Sequence, residues 1–169
     1  GSAGTWAGDT GCRGTRRDWW RPGLMRGGGA PLVERAEPAR DLSPAMTLGR
    51  RLIAIIRLQA GAALGCGRWY HCAEDMPVGV AAIGYGDGYP RHAPNGTPVL
   101  VGGQRVPMVG RVSMDKITLD LRSAPHATVG DEVVLWGDGL PIEEIADAAG
   151  TIGYELMFGV HGRVVTRCV

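Results

Sequence analysis

Residues 83–121 read IGYGDGYPRHAPNGTPVLVGGQRVPMVGRVSMDKITLDL. The stretch opens on a glycine-rich loop, Gly84-Tyr85-Gly86-Asp87-Gly88-Tyr89-Pro90-Arg91. Glycines this dense let the main chain take positive φ or come close to another surface. Two tyrosines alternate with them, and Pro90 stops the run. Pro98-Val99-Leu100-Val101 and Gln104-Arg105-Val106 then flank Gly102-Gly103. Two short apolar runs separated by two glycines predict a hairpin, because the primed turns need φ > 0 at their central positions. Past Gly110-Arg111, Ile117, Leu119 and Leu121 fall on one face at period two, which predicts a strand within residues 112–121. The stretch is therefore β architecture carrying a polar, aromatic, glycine-lined loop.

Working outward, residues 51–58 (RLIAIIRL) predict an isoleucine-rich strand. Residues 78–83 predict a second strand leading into the glycine-rich loop, and residues 132–136 a further one ended by Gly137-Asp138-Gly139. Residues 59–75 are loop-rich and hold Cys66, Trp69, Tyr70, His71 and Cys72. Ile142, Ile145, Ala146 and Ala149 recur at helical spacing. Pro141 suits the first helical position, Glu143 and Glu144 suit the positive end of the dipole, and Gly150 stops the helix. Thr151 is expected to cap a second short helix reaching about Phe158, and residues 163–169 to return as a last strand. Upstream, residues 1–18 show no period and read as loop. A short aromatic strand ends at Arg21, Pro22-Gly23 is a turn, and residues 27–37 are a connector. We place a boundary near residue 40, dividing a segment 1–40 from a β-rich domain 41–169. The order is mainly β, with one or two short helices near the C-terminal end. It suits a sandwich or barrel better than alternating βαβ units.

The 169 residues amount to one domain, or one plus a fragment, with enough chain for a sizeable core. A formal net charge of +1 and dispersed arginines give no field that would draw nucleic acid or a membrane surface. No apolar run is long enough to span a bilayer as a helix, and no basic-then-apolar leader is visible. Cys12, Cys66, Cys72 and Cys168 lack paired spacing, so a reduced, cytoplasmic setting is the expectation.

The motifs GYGDGYPR, GTPVLV and VGRVSMD, in this order and spacing, resemble the C-terminal domain of alanine racemase, a pyridoxal-phosphate enzyme. The resemblance continues through VGDEVVLWG, IADAAGTIGYEL and a final HGRV, covering roughly residues 19–169. It implies the C-terminal part of an enzyme that interconverts L- and D-alanine, incomplete or inactive alone, working as a homodimer or beside a barrel-bearing racemase chain; the alternative is a non-catalytic homodimerising β-domain. In that family two subunits pair head to tail, and this domain completes the partner's site. The lysine that attaches the cofactor lies in an N-terminal (β/α)8 barrel, of which residues 1–40 would be the last piece. The single lysine, Lys116, sits in a strand signal and receives no catalytic role from the resemblance, so this chain alone is not expected to hold the cofactor covalently.

The resemblance assigns Arg21 to the pyridine nitrogen, where a guanidinium can only donate. It assigns the main-chain N–H groups of Gly23 and Leu24 to the phosphate, joined by the hydroxyl of Tyr154 and, through the SAGT segment, by Ser2. The main-chain N–H of Met114 would meet the substrate carboxylate in the partner subunit's site. Tyr85 and Arg111 would line the substrate's path there. Arg21, Tyr154 and Met114 each have an ordinary alternative: a surface arginine, a half-buried helix tyrosine and a core methionine.

One position departs from the family pattern. Counting back from Tyr85, the place of the family's catalytic tyrosine falls on Cys66, in Gly65-Cys66-Gly67. A thiol titrates near 8.5 but is several atoms shorter than a phenol. Proton transfer needs hydrogen-bond reach. A rival reading groups Cys66, His71 and Cys72 as zinc ligands, completed by Cys12, His161 or Cys168. That spacing lacks a convincing fourth ligand, and no resident metal is expected.

Overall fold

The computed structural model describes residues 4–5, 20–21, 23, 43–65, 67, 70–160 and 162–168. The chain divides into two compact units, Gly1–Met46 and Thr47–Val169. In the first, β1 (Gly4–Thr5) pairs in parallel with β2 (Trp20–Arg21), Gly4 opposite Trp20 and Thr5 opposite Arg21. The aromatic strand expected to end at Arg21 is present as β2. Its partner falls in a stretch read as loop, and two residues are too few to leave a period-two signal.

The second unit is a closed antiparallel barrel. It is built from β3 (Leu48–Leu58), β6 (Met76–Ala81), β7 (Pro98–Val101), β8 (Gln104–Val109), β9 (Ile117–Asp120) and β10 (Glu132–Trp136). Round the barrel the order is β10, β3, β6, β9, β8, β7, and β7 pairs back to β10. Closure removes the exposed edges an open sheet would present. The β7–β8 hairpin turns on Gly102 and Gly103 at φ 54° and 82°, as the paired glycines predict. A small hairpin of β4 (Ala63–Leu64) and β5 (Tyr70–His71) stands beside the barrel within the loop-rich stretch.

The interior is filled by Leu52, Ile83, Val99, Met108, Ile117, Leu119, Leu135 and Trp136, all essentially inaccessible. Gly79 in β6 sits where a Cβ would come 2.9 Å from Leu52 and 3.0 Å from Leu121, so its missing side chain lets those leucines meet. Tyr89 stacks on Trp136 with centroids 6.2 Å apart. A second apolar cluster joins Leu64, Cys72, Met76, Val78 and Val109.

Helix α1 (Ile142–Ala149) buries Ile142, Ile145, Ala146 and Ala149, and Gly150 closes it in the left-handed region. Pro141 is its N-cap, one place earlier than expected. In α2 (Gly153–Gly159) the N-cap is Ile152 with no side-chain bond, whereas the Thr151 hydroxyl pairs with the Glu155 carboxylate. Two further expectations are corrected. Residues 112–116 are not strand: the Ser113 hydroxyl donates to Lys116 O at 2.8 Å and accepts from Lys116 N at 3.1 Å, closing a turn, and β9 begins at Ile117. Lys116 is accordingly exposed in that turn rather than on a strand face. The described residues 162–168 form turn and coil, not a final strand.

Candidate functional site

At the end of β6 the chain reaches Gly84, and Tyr85–Asp87 form one turn of 3-10 helix. Gly84 N donates to the Asp87 carboxylate at 3.1 Å, and Gly88 ends the turn at φ 100°. The loop is then fastened to the 113–116 turn by two main-chain bonds. Tyr85 N donates to Ser113 O at 3.0 Å and Gly86 N to Met114 O at 2.9 Å. Glycine is obligatory at the crossing, since a Cβ on Gly84 would lie 2.2 Å from Ser113 O and 2.5 Å from Met114 O.

Those contacts bring GYGDGYPR and VGRVSMD together around a cleft of about 370 Å³, lined by Tyr85, Arg91, Val112, Ser113, Met114, Asp115 and Lys116. Tyr85 is 44% exposed and Met114 50%, so both residues reach the opening. The Arg91 guanidinium lies over the Tyr85 ring, 5.5 Å from its centroid, and donates to Val112 O at 3.4 Å. Arg91 also lines a neighbouring cleft of about 430 Å³ with His92, Asn95 and Arg111. The two openings therefore share a wall, and Tyr85, Met114 and Arg111 stand along one basic, half-aromatic surface.

Gly65 packs against the same surface: a Cβ on it would lie 3.0 Å from Arg111 N. Gly65 and Gly67 both have positive φ, 80° and 81°. Gly65, directly after β4 in the β4–β5 hairpin, thus stands beside Arg111. Cys66 lies outside the described residues, as do Ser2, Leu24, Cys12 and His161. His71 is exposed, while Cys72 is 2% exposed in its apolar cluster, so these neighbours face opposite ways.

Arg21 and Gly23 belong to the first unit and Tyr154 to the second. Gly23 is exposed at φ 41°, and Tyr154 is exposed on α2.

Two groups that received no role in the sequence reading join the site. Asp87, buried within the loop, lies 3.5 Å from Arg163, and Arg163 reaches Asp115 at 2.5 Å. The Asp115 hydrogen bond, then the Asp87 charge, raise the Arg163 pKa above its ordinary value. An aspartate three places after Gly84 has the spacing of a side chain that bonds back to a turn's first N–H. Arg163 has no local signal, because its partners are distant in sequence.

Residues 45–168 match the family model described as "Alanine racemase, C-terminal domain". The chain is 58% identical over 147 residues to the alanine racemase of Nitrosococcus oceani, covering 87% of this chain and 41% of that protein. It is 50% identical over 154 residues to that of Coxiella burnetii, covering 87% and 42%. Among solved structures, the biosynthetic alanine racemase of Pseudomonas aeruginosa superposes with a TM-score of 0.93 at 44% identity, over 97% of this chain and 46% of that one. The Acinetobacter baumannii alanine racemase gives 0.90 at 35%, over 97% and 46%. The chain spans a little under half the length of the relatives it matches.

Proposed function

The chain belongs to the family of alanine racemase C-terminal domains, and from that premise we propose that it supplies the C-terminal part of an enzyme interconverting L- and D-alanine with pyridoxal phosphate. Its cleft completes the active site of a partner subunit, either a second copy in a homodimer or a barrel-bearing racemase chain. What carries the reading is the cleft in which Tyr85 and Met114, from two separate motifs, are tied by the Tyr85–Ser113 and Gly86–Met114 bonds.

Each residue then has a task. The Met114 main-chain N–H binds the substrate carboxylate and fixes its orientation. Tyr85, with Arg91 across its ring, narrows the approach to a small amino acid and keeps bulk water out. Arg111 lines the same path and offers a positive charge to the incoming carboxylate. Arg21 holds the cofactor's pyridine nitrogen by donation, and Gly23, Leu24, Tyr154 and Ser2 hold its phosphate. Pyridoxal phosphate, when bound, supplies the electron sink that acidifies the substrate's α-C–H. Cys66 occupies the position of one of the two opposed acid–base groups, and the other is a lysine outside this chain. A thiol there falls short of a substrate placed for a phenol, so the chain as it stands is a weak racemase on that face.

The test is to mix the chain with pyridoxal phosphate and the N-terminal barrel part of an alanine racemase, then follow D/L-alanine interconversion. Measurable racemisation that needs both components is expected. Stable assembly with no racemisation, even with Cys66→Tyr, would leave a non-catalytic homodimerising β-domain as the function. Stoichiometric zinc, lost on Cys66→Ser, would replace both readings with a metal-binding module.

A further inference from the structure

The segment after α2 was expected to be a strand, and it is instead a turn pressed against the glycine-rich loop. Two contacts define the pressure. A Cβ on Gly88 would lie 2.1 Å from Gly159 O and 2.7 Å from Val160 N, so the end of α2 touches the loop's main chain. A Cβ on Gly86 would lie 2.5 Å from the Arg163 guanidinium and 3.2 Å from Met114 Cγ. Arg163 therefore packs against Gly86, beside Met114, and the absence of a side chain at position 86 is what admits it.

From there the guanidinium spans two carboxylates that belong to different loops. Arg163 Nε faces Asp87 Oδ1 at 3.5 Å, and Arg163 Nη2 donates to Asp115 Oδ1 at 2.5 Å. The Asp87 carboxylate is nearly inaccessible and its other oxygen accepts from Gly84 N, so its charge needs a counter-charge where it stands. Asp115 directly follows Met114. A planar guanidinium presents donors on fixed vectors, so one arginine can hold two acids at a set separation, where a lysine offers a single point charge.

We infer that Arg163 is a positioning residue: it locks the Tyr85 loop to the Met114 turn through the pair Asp87 and Asp115, and so sets where the Met114 N–H points. The inference about the lock stands on these contacts alone. Its consequence for substrate binding rests on the function proposed above. The C-terminal segment, distant in sequence from both motifs, becomes part of the substrate site without touching substrate.

Three variants of the full chain test it: Arg163→Met, Arg163→Lys and Asp115→Asn. The first readout is hydrogen exchange at single amides. In Arg163→Met, exchange at the Tyr85 and Gly86 amides accelerates roughly tenfold, the factor that loss of one charge-assisted hydrogen bond supplies. The Val78 and Leu119 amides inside the barrel keep their rates. Arg163→Lys gives a smaller acceleration, and Asp115→Asn one confined to the Met114 side. The second readout uses each variant assembled with the racemase barrel part. KM for alanine rises about five- to tenfold with kcat held within about twofold, the signature of lost ground-state binding, and Arg163→Lys recovers part of it. Unchanged exchange at Tyr85 and Gly86 in all three variants overturns the inference. So does acceleration spread through the barrel, or an unaltered KM despite a loosened loop. If the unaltered chain shows no racemisation when assembled, the proposed function fails by itself, and the exchange rates still decide whether Arg163 locks the loops.

Discussion

Gly84 shows how much a single missing side chain can decide. It lies where two carbonyl oxygens would meet any Cβ at 2.2–2.5 Å, and main-chain atoms cannot swing aside. Gly84→Ala should therefore cost at least the 1–3 kcal/mol usual for overpacking, about 2–4 °C of Tm per kcal/mol in a chain of this size. Calorimetry measures it, and a loss under 1 °C would contradict the crossing. Tyr89 poses the opposite case. Its hydroxyl and Trp136 Nε1 are buried with no hydrogen-bond partner among the described residues, and burial pushes the Tyr89 pKa well above 10. An acid whose pKa is raised by folding contributes stability that is intact below its unfolded value of about 10 and lost as pH rises beyond it. Tyr89→Phe should match or exceed the unaltered chain at neutral pH and lose less stability between pH 9 and 11, as denaturant titrations at each pH would reveal. The acid–base role proposed for position 66 is of a kind typically worth about 10²–10⁴ in rate. Cys66→Tyr should recover much of it in the assembled racemase, and iodoacetamide should barely slow the unaltered protein. Abolition by the alkylating agent would mean that the thiol itself moves the proton.

Among the elements, β9 departs most from simple alternation. Ile117 and Leu119 face the barrel interior, yet Asp120 is also buried. Burial acts to raise the Asp120 pKa, but hydrogen bonds from Arg122 outweigh it and the net shift is downward. Arg122 reaches both carboxylate oxygens and extends to Glu74. A carboxyl whose pKa is lowered by folding contributes stability that is present above the unfolded value, about 3.9, and lost as pH falls through the folded one. Arg122→Met should lower Tm by a few degrees at pH 7, because it strands a buried carboxylate. It should also flatten the loss of stability below pH 4. An unchanged acid limb in thermal melts would show that the pair contributes nothing.

For the molecule as a whole, barrel closure sets a gradient of local stability. The β3–β6 ladder runs through six residue pairs, while the β7–β10 seam has only Val133 opposite Val101 and Val134 opposite Leu100. Long ladders open with the global transition and short seams open earlier. Amide exchange should be slowest in β3 and β6 and faster at the β7–β10 seam, and a reversed order would contradict the barrel's pairing. Arg105 adds one tie across elements, reaching Glu144 on α1 at 2.6 Å from the β7–β8 hairpin.

What sequence alone determined is what short-range physics encodes. Paired glycines require a primed turn at Gly102-Gly103, period two at Ile117, Leu119 and Leu121 marks β9, a short apolar run ended by glycines marks β10, and helical spacing with Gly150 delimits α1. GYGDGYPR beside VGRVSMD was specific enough to point to the family, and with it to a β fold; it also put forward Tyr85, Arg111 and Met114, whose roles stay a proposal. Tertiary structure alone decided the rest. The residues of the 113–116 turn carry strand-forming composition on both sides, and the Ser113–Lys116 bonds within the turn, with the bonds from Tyr85 and Gly86, bend them out of line. Residues 163–168 read as strand by composition, but no barrel edge remains open to receive one. Arg163 finds Asp87 and Asp115 only after the chain has closed on itself, because an ion pair between distant residues leaves no periodic or local trace in the order of amino acids.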